Sequence, residues 1–478
     1  MASQNKILFR TLLVSAGLAA LTACAPDLGP KPDLIASSDL AATKAFAGPN
    51  APDLAGRWWE GYGDPQLNGL IDEALAGSPD LAVAAARVTQ AEAAAGEARS
   101  GLSPSVSVGG AAEQVRQSLN NGFPDEFKAF LPQGWNDQAR LTASLRYQLD
   151  FFGRNRASLA AATSAADAAR ADQAAARLTI STGVAGAYAE LKRLYAARAA
   201  AADAVRVREQ TARFFSDRQQ AGLETRGPAS QAASDAATAR ADIAGLDGQI
   251  LVVRHQLAAL VGKGPDRGLD LSPPANAGLH AVGLPANLAA DLVGRRPDVA
   301  AARARVEAAA QREHVAKTAF YPNLDLVANI GLQALPSNLL FDKDSPYGNF
   351  GPAFTLPIFD AGANEAGYRG ARGAYAEAVA TYNKTVINAF REVADAVSNQ
   401  KASANQLGEA REALRASEDA YGVAQQRYGA GLVRNLDVLT AEGQVLTARR
   451  RVADLEATAF SLDVALIRAL GGGFRAAA

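Results

Sequence analysis

Long apolar runs are missing from most of this chain. Beyond residue 24 no stretch of 18 or more apolar residues occurs, which excludes a transmembrane helix there. If the mature chain crosses a membrane, it must do so as a closed β-barrel, because lipid offers no partner to open backbone groups. Charge of one sign is also missing: the formal net charge is −1, so nothing in the bulk electrostatics calls for nucleic acid. The single cysteine, Cys24, excludes an intrachain disulfide. The three histidines, His255, His280 and His314, have no metal-ligand spacing to one another or to Cys24. No Ser-His-Asp set is evident, and Gly262-Lys263-Gly264-Pro265 lacks the phosphate-loop pattern. An enzyme is therefore not expected. Proline is absent over the 68 residues from Gly153 to Gln220, and again from Ile358 onward. An unbroken helix over the first of these stretches would extend on the order of 100 Å, too long for a compact domain.

What is present is alanine, interleaved with Arg, Glu and Asp. Alanine loses no side-chain entropy on forming helix, and small side chains let helices approach closely. The N-terminus reads differently. Lys6 and Arg10 precede an apolar run, Leu12 to Leu21, of signal-peptide length. Leu21-Thr22-Ala23-Cys24 then resembles the bacterial lipobox, whose cysteine becomes the acylated first residue of the mature chain. The expected division is a signal peptide at 1–23 and a lipidated tether at 24–56. Ala25, rather than Asp, after the cysteine favours the outer membrane by analogy. Pro26 to about Pro52 reads as an extended tether. Trp58 and Trp59 precede a helix that begins near Pro65, with Leu67, Leu70, Ile71 and Leu75 on one face.

An internal repeat organises the rest. Ser78-Pro79-Asp80-Leu81-Ala82 recurs as Arg296-Pro297-Asp298-Val299-Ala300, and Ser103-Pro104-Ser105-Val106 as Tyr321-Pro322-Asn323-Leu324. The differences 297 − 79 and 322 − 104 both give 218. Further on, Leu149-Asp150-Phe151-Phe152-Gly153 matches Phe359-Asp360-Ala361-Gly362, Gly222 matches Gly431, and Leu260 to Gly262 matches Leu470 to Gly472, at offsets of 209 or 210. A loop therefore differs in length between the repeats by about eight residues, as loops tolerate. The repeats are placed at 57–275 and 276–478. Each reads helix, strand, loop, strand, very long helix, turn, helix.

Strands are expected at about 104–117 and 138–150, and at about 322–333 and 349–359. Leu141, Ala143, Leu145, Tyr147 and Leu149 alternate with Thr142, Ser144, Arg146 and Gln148. Leu324, Leu326, Ala328, Ile330 and Leu332 share a face, as do Phe350, Pro352, Phe354, Leu356 and Ile358. A membrane wall and a soluble sandwich would both show such alternation. Four strands alone leave two open edges, so a membrane barrel would need several chains; geometry does not choose three. The two turns, Gln219 to Gln231 and Arg427 to Leu439, each hold Ala-Gly-Leu between helical runs. They read as tips of antiparallel helical hairpins, with Gly222 and Gly431 allowing the tight bend. Gly183, Gly186, Gly367, Gly370 and Gly373, inside the long helices, could serve close contact or a local bend.

Together, the lipobox, the RWWEGYGDPQLNGLI stretch, the paired Pro-Asp helices and the paired Ala-Gly-Leu tips resemble the bacterial outer-membrane efflux protein family. These are TolC-like channel tunnels, and within them the lipoprotein branch is similar to OprM and NodT. The resemblance covers nearly all of the mature chain. It implies a mainly α fold with a small β membrane part: a TolC-like α-helical barrel and a trimeric, twelve-stranded β-barrel, four strands per chain. It implies a passive outer-membrane channel of a tripartite pump that exports drugs or toxic small molecules. Its partners would be two further copies, a periplasmic adaptor (membrane fusion protein), an RND-type inner-membrane pump and outer-membrane lipid. No cofactor is implied beyond covalent lipid on Cys24. Two other readings are a duct for type I protein secretion and a non-transporting envelope scaffold.

The resemblance also places the periplasmic gate at the second tip, on Tyr428, Arg434, Leu436 and Asp437. A ring of Asp437 carboxylates at a narrow pore would attract cations, and Arg434 would pair with an acid. Thr440 stands where related chains carry a second acid, with Glu442 nearby. Adaptor contact falls by analogy on Gly222, Leu223, Gly431 and Leu432. One methionine in the whole chain gives no support to a methionine-based copper or silver route.

Overall fold

The computed structural model describes residues 25–42, 44–46, 50–51, 56–120, 122, 124–274, 284–285 and 294–475. The proposed signal segment, Cys24 and His280 lie outside the described residues. The main elements are α1 (Pro65–Gly77), α2 (Pro79–Ser100), β1 (Ser105–Val115), β2 (Asn136–Leu149), α3 (Arg154–Gln220), α4 (Arg226–Leu260), α5 (Pro297–Thr318), β3 (Asn323–Ala334), β4 (Pro346–Thr355), α6 (Ala363–Gly429) and α7 (Asn435–Ala469). The repeat is reproduced almost residue for residue. Helices α3 and α6 each have 67 residues, α4 and α7 each 35, and α2 and α5 each 22. The strand-connecting loops, 116–135 and 335–345, absorb the difference in length.

The chain forms two compact units, and both repeats contribute to each. Of the described residues, the first unit comprises those in 25–33, 89–167 and 304–380; the second comprises those in 34–88, 168–303 and 381–475.

In the first unit the four strands form one antiparallel sheet in the order β1-β2-β3-β4. Strand β4 begins and ends earlier than the alternation predicts, at Pro346 and Thr355. Leu356 precedes Pro357, which restricts its backbone and cannot donate to a ladder. Ile358 thus leaves the strand, although it belonged to the expected apolar face. Pro352 stands within β4, the last strand of this chain's own sheet. Each second strand hands over to a long helix through a capping aspartate. Asp150 accepts the N–H groups of Asn155 and Arg156 at 3.0 and 2.9 Å. Asp360 accepts those of Gly362 and Asn364 at 3.0 and 2.9 Å. These caps satisfy amides that a helix start leaves open. Asn155 and Asn364 then donate their side-chain amides to Gly101 and Ala319 carbonyls at 2.8 and 3.3 Å, tying each long helix to the end of the shorter one.

The described part of the N-terminal segment has little regular structure beyond a short helical turn at Ser37–Asp39, and it is pinned. Lys31 lies 2.8 Å from the Glu313 carboxylate, which is almost fully buried and also meets Arg372 at 3.1 Å. Arg372 donates in turn to the Gly29 carbonyl at 2.7 Å.

The second unit holds the main apolar core. Trp58, Trp59, Tyr62, Leu67, Leu70 and Ile71 pack with Ile180, Val184, Leu191 and Leu257, and with Phe460 and Ile467. Asp64 caps α1 through the Gln66 and Leu67 amides at 2.9 and 3.2 Å and accepts the Tyr188 hydroxyl at 2.7 Å. Buried Tyr62 donates to Asp463 at 2.5 Å. Two glycines at equivalent helix ends make close backbone contacts in both repeats. A Cβ on Gly262 would lie 2.3 Å from the Gly77 carbonyl oxygen, and one on Gly471 would lie 1.9 Å from that of Arg295. Gly262 therefore corresponds to Gly471, one residue away from the pairing of Leu260–Gly262 with Leu470–Gly472 read from sequence. Gly183, Gly186, Gly367, Gly370 and Gly373 leave α3 and α6 continuous, and a Cβ on any of them would meet nothing within 4 Å beyond its own helix backbone.

Candidate channel wall and hairpin tips

The register sorts the sheet into two chemically distinct faces. Val106, Leu145, Ala328 and Phe350 stand in line across all four strands, as do Val108, Ala143, Ile330 and Gly348. The next rows on this face hold Tyr147, Leu326 and Pro352, and then Leu149, Leu324 and Phe354. On the other face Ser107, Ser144, Asn329 and Asn349 are aligned, and Arg146 reaches Asp325 at 2.7 Å. The apolar face is bare: Val108 and Ile330 are each 71% exposed and Phe350 88%. A soluble sheet would cover such a face, and a patch of this size marks a lipid or partner surface. Strands of 10 to 14 residues are long enough for a barrel wall, which needs about 9–11. Strands β1 and β4 each have one unpaired edge, the condition that lipid forbids.

Exposed aromatic residues flank the strands at both ends. Phe127, Phe130, Trp135 and Phe341 sit in the connecting loops; Phe151, Phe152 and Phe359 follow the opposite ends. Phe152 stacks on Tyr321 with centroids 4.8 Å apart. Aromatic girdles at both membrane interfaces belong to outer-membrane barrels. Among the described residues, no helix is long and apolar enough to cross a membrane, and no group of His, Cys, Asp and Glu could hold a metal ion.

The two hairpin tips have the same geometry. Gly222 and Gly431 both have φ +73°, the left-handed conformation that glycine adopts freely. Leu223 N–H donates to the Arg218 carbonyl at 2.8 Å, and Leu432 N–H to that of Arg427 at 2.8 Å. This closing bond satisfies a carbonyl at the helix end. It leaves Leu223, Leu432 and Leu436 projecting, 66%, 70% and 62% exposed.

The residue pattern of an outer membrane efflux protein matches over residues 70–263 and 288–472. The chain belongs to the outer membrane efflux protein family. The multidrug resistance outer membrane protein MdtP of Shigella flexneri is 30% identical over 476 residues, 98% of this chain and 96% of its own. The pyoverdine export outer membrane protein OpmQ of Pseudomonas putida is 31% identical over 420 residues, 88% of each chain. The crystal structure of the outer membrane protein VceC from Vibrio cholerae matches with a TM-score of 0.82 at 41% identity, covering 88% of this chain and 100% of that one. The fold is thus that of TolC-like outer membrane channels, the location is the outer membrane, and the chain is not an enzyme.

The structure brings Tyr428, Arg434 and Leu436 together around a cavity of about 870 Å³ between the tips of the two hairpins, with Thr440 and Glu442. Asp437 does not line it. Its carboxylate accepts the Arg434 backbone N–H at 2.9 Å, capping α7. The Arg434 guanidinium makes no ion pair among the described residues. Thr440 donates its hydroxyl to the Leu436 carbonyl at 2.8 Å and is exposed, whereas Glu442 is buried. Glu442 is therefore no substitute for an exposed second acid ring. Burial raises its carboxyl above the ordinary range, a shift that Arg208 and Arg206 offset only in part. Sequence spacing gave no sign of this, because Glu442 reads as one more acid on a polar helix.

Proposed function

We propose that three copies of this chain close one twelve-stranded barrel, which acts as the passive outer-membrane duct of a tripartite efflux system. The bare apolar face beside two unpaired sheet edges carries this reading: in lipid, only closure by further copies satisfies both. An RND-type inner-membrane pump supplies drugs or other toxic small molecules. A periplasmic adaptor bridges pump and duct by contacting the tips at Gly222, Leu223, Gly431 and Leu432. The multidrug and export roles in the names of MdtP and OpmQ support small-molecule cargo.

The signal peptide 1–23 is removed, and palmitate and further acyl chains on Cys24 anchor the mature protein, since stable anchoring takes more than one chain. Tyr428, Arg434, Leu436 and Asp437 form the periplasmic gate, with Asp437 as the charged ring. The test pairs native mass spectrometry with complementation of a strain deleted for the chain. Three copies per particle and restored drug tolerance are expected. A uniform monomer in detergent, or unchanged drug sensitivity on complementation, contradicts the proposal.

A further inference from the structure

The cavity between the hairpin tips carries a feature that a channel wall does not require. It is built within one chain, from α3 and α4 of the first hairpin and α6 and α7 of the second. Its volume of about 870 Å³ falls in the range of small-molecule sites. Phe214, Phe215, Val207, Leu439 and Leu446 give it an apolar lining. Glu442 also lines it and is only 8% exposed. Its carboxylate has no hydrogen bond or ion pair among the described residues.

Among the described residues, none of the nearby arginines pairs with Glu442, and three of them are committed to other acids. Arg208 lies 3.3 Å from Asp235, Arg206 lies 3.0 Å from Asp203, and Arg449 lies 2.8 Å from Glu418. Arg218 sits over the Phe214 ring at 5.6 Å. Arg208, Arg218 and Arg434 all line the cavity; Arg208 is held by Asp235, and Arg218 and Arg434 are exposed to solvent. A buried carboxylate with no direct ion pair, its charge only partly offset by Arg208 and Arg206, is costly, and a cation that brings its own apolar body relieves the cost. Aromatic faces strengthen the preference, since their π-clouds attract cations.

We infer that the space between the two hairpin tips is a binding site for an amphipathic organic monocation, held by the Glu442 carboxylate against the Phe214, Phe215 and Leu446 side chains. One ligand would bind per chain. Because the lining comes from both hairpins, the bound cation bridges them.

Two probes of matched shape and opposite charge, tetraphenylphosphonium and tetraphenylborate, test this by calorimetry on the full-length protein in lipid nanodiscs. Saturable binding of tetraphenylphosphonium, tighter than that of tetraphenylborate, is expected. Glu442→Gln should weaken it at least tenfold, and Leu446→Trp, which fills the cavity without altering charge, should do the same. The second variant decides the matter if the first fails to assemble. The inference is overturned by the absence of saturable phosphonium binding, by tighter borate binding, or by unchanged phosphonium affinity in either folded variant.

Discussion

The Asp437 carboxylate accepts the backbone N–H of Arg434 at 2.9 Å, so the acid proposed for the pore ring also caps the helix behind the tip. The two roles separate by substitution. Asp437→Asn keeps an acceptor and removes the charge; Asp437→Ala removes both. We expect both variants to lose cation preference in reversal-potential measurements, and only the alanine to lose about 0.5–2 kcal/mol of stability. Selectivity retained in the asparagine variant would leave Asp437 as a cap alone.

Gly431 and Gly471 both have positive φ, but their surroundings differ. A Cβ at Gly431 meets nothing within 4 Å, whereas at Gly471 it would lie 1.9 Å from a backbone oxygen. Gly431→Ala should cost about 1–2 kcal/mol for the left-handed backbone. Gly471→Ala adds a clash that no flexible side chain can relieve and should cost clearly more. Thermal melts compare them, and equal losses would contradict the close approach at Arg295.

Ile330 and Asn329 are neighbours on opposite faces of β3. If the Ile330 face meets lipid, Ile330→Arg should destabilise the folded barrel by about 2–4 kcal/mol, while Asn329→Arg should be tolerated. Urea unfolding from lipid vesicles measures both. The reverse order would turn the sheet inside out.

Glu442 has a carboxyl raised by burial. Between its ordinary and raised values the folded chain holds a proton that the unfolded chain has released. Stability should therefore be fully present below the ordinary glutamate value and decline as pH rises through the raised one. Glu442→Gln should flatten this dependence and stabilise the hairpins at neutral pH. A wild-type profile matching that of Glu442→Gln would show that the acid is not desolvated.

Glu313 is buried between Lys31 and Arg372. Glu313→Ala would leave Arg372 buried without its acid and cost about 3 kcal/mol. It should also free the tether, read as faster cleavage before residue 42 by proteinase K, since Pro32 blocks trypsin at Lys31. An unchanged cleavage rate would mean that the tether is held by other contacts.

Much of this architecture is legible in the sequence because it is periodic. Alternation at Leu141 to Leu149 and Leu324 to Leu332 gives the strand faces, and the Ala-Gly-Leu pairs give the tips. Local chemistry decides the rest. Pro357 stops β4 where alternation alone would continue to Ile358. Asp437 reads from the resemblance as a gate acid, and only its acceptor geometry shows that it also caps α7. Glu442 depends on α3 and α4 packing opposite it, contacts between distant segments that no spacing along α7 encodes. Lys31 lies in a proline-rich stretch that resembles free linker, and only Glu313, far along the chain, shows where it is held.

Single-channel recording in planar bilayers bears most directly on the claim that copies of this chain close one pore. Purified, folded protein should insert in discrete conductance steps, with a cation preference that falls in Asp437→Asn. Folded protein that inserts into lipid and never conducts would contradict it.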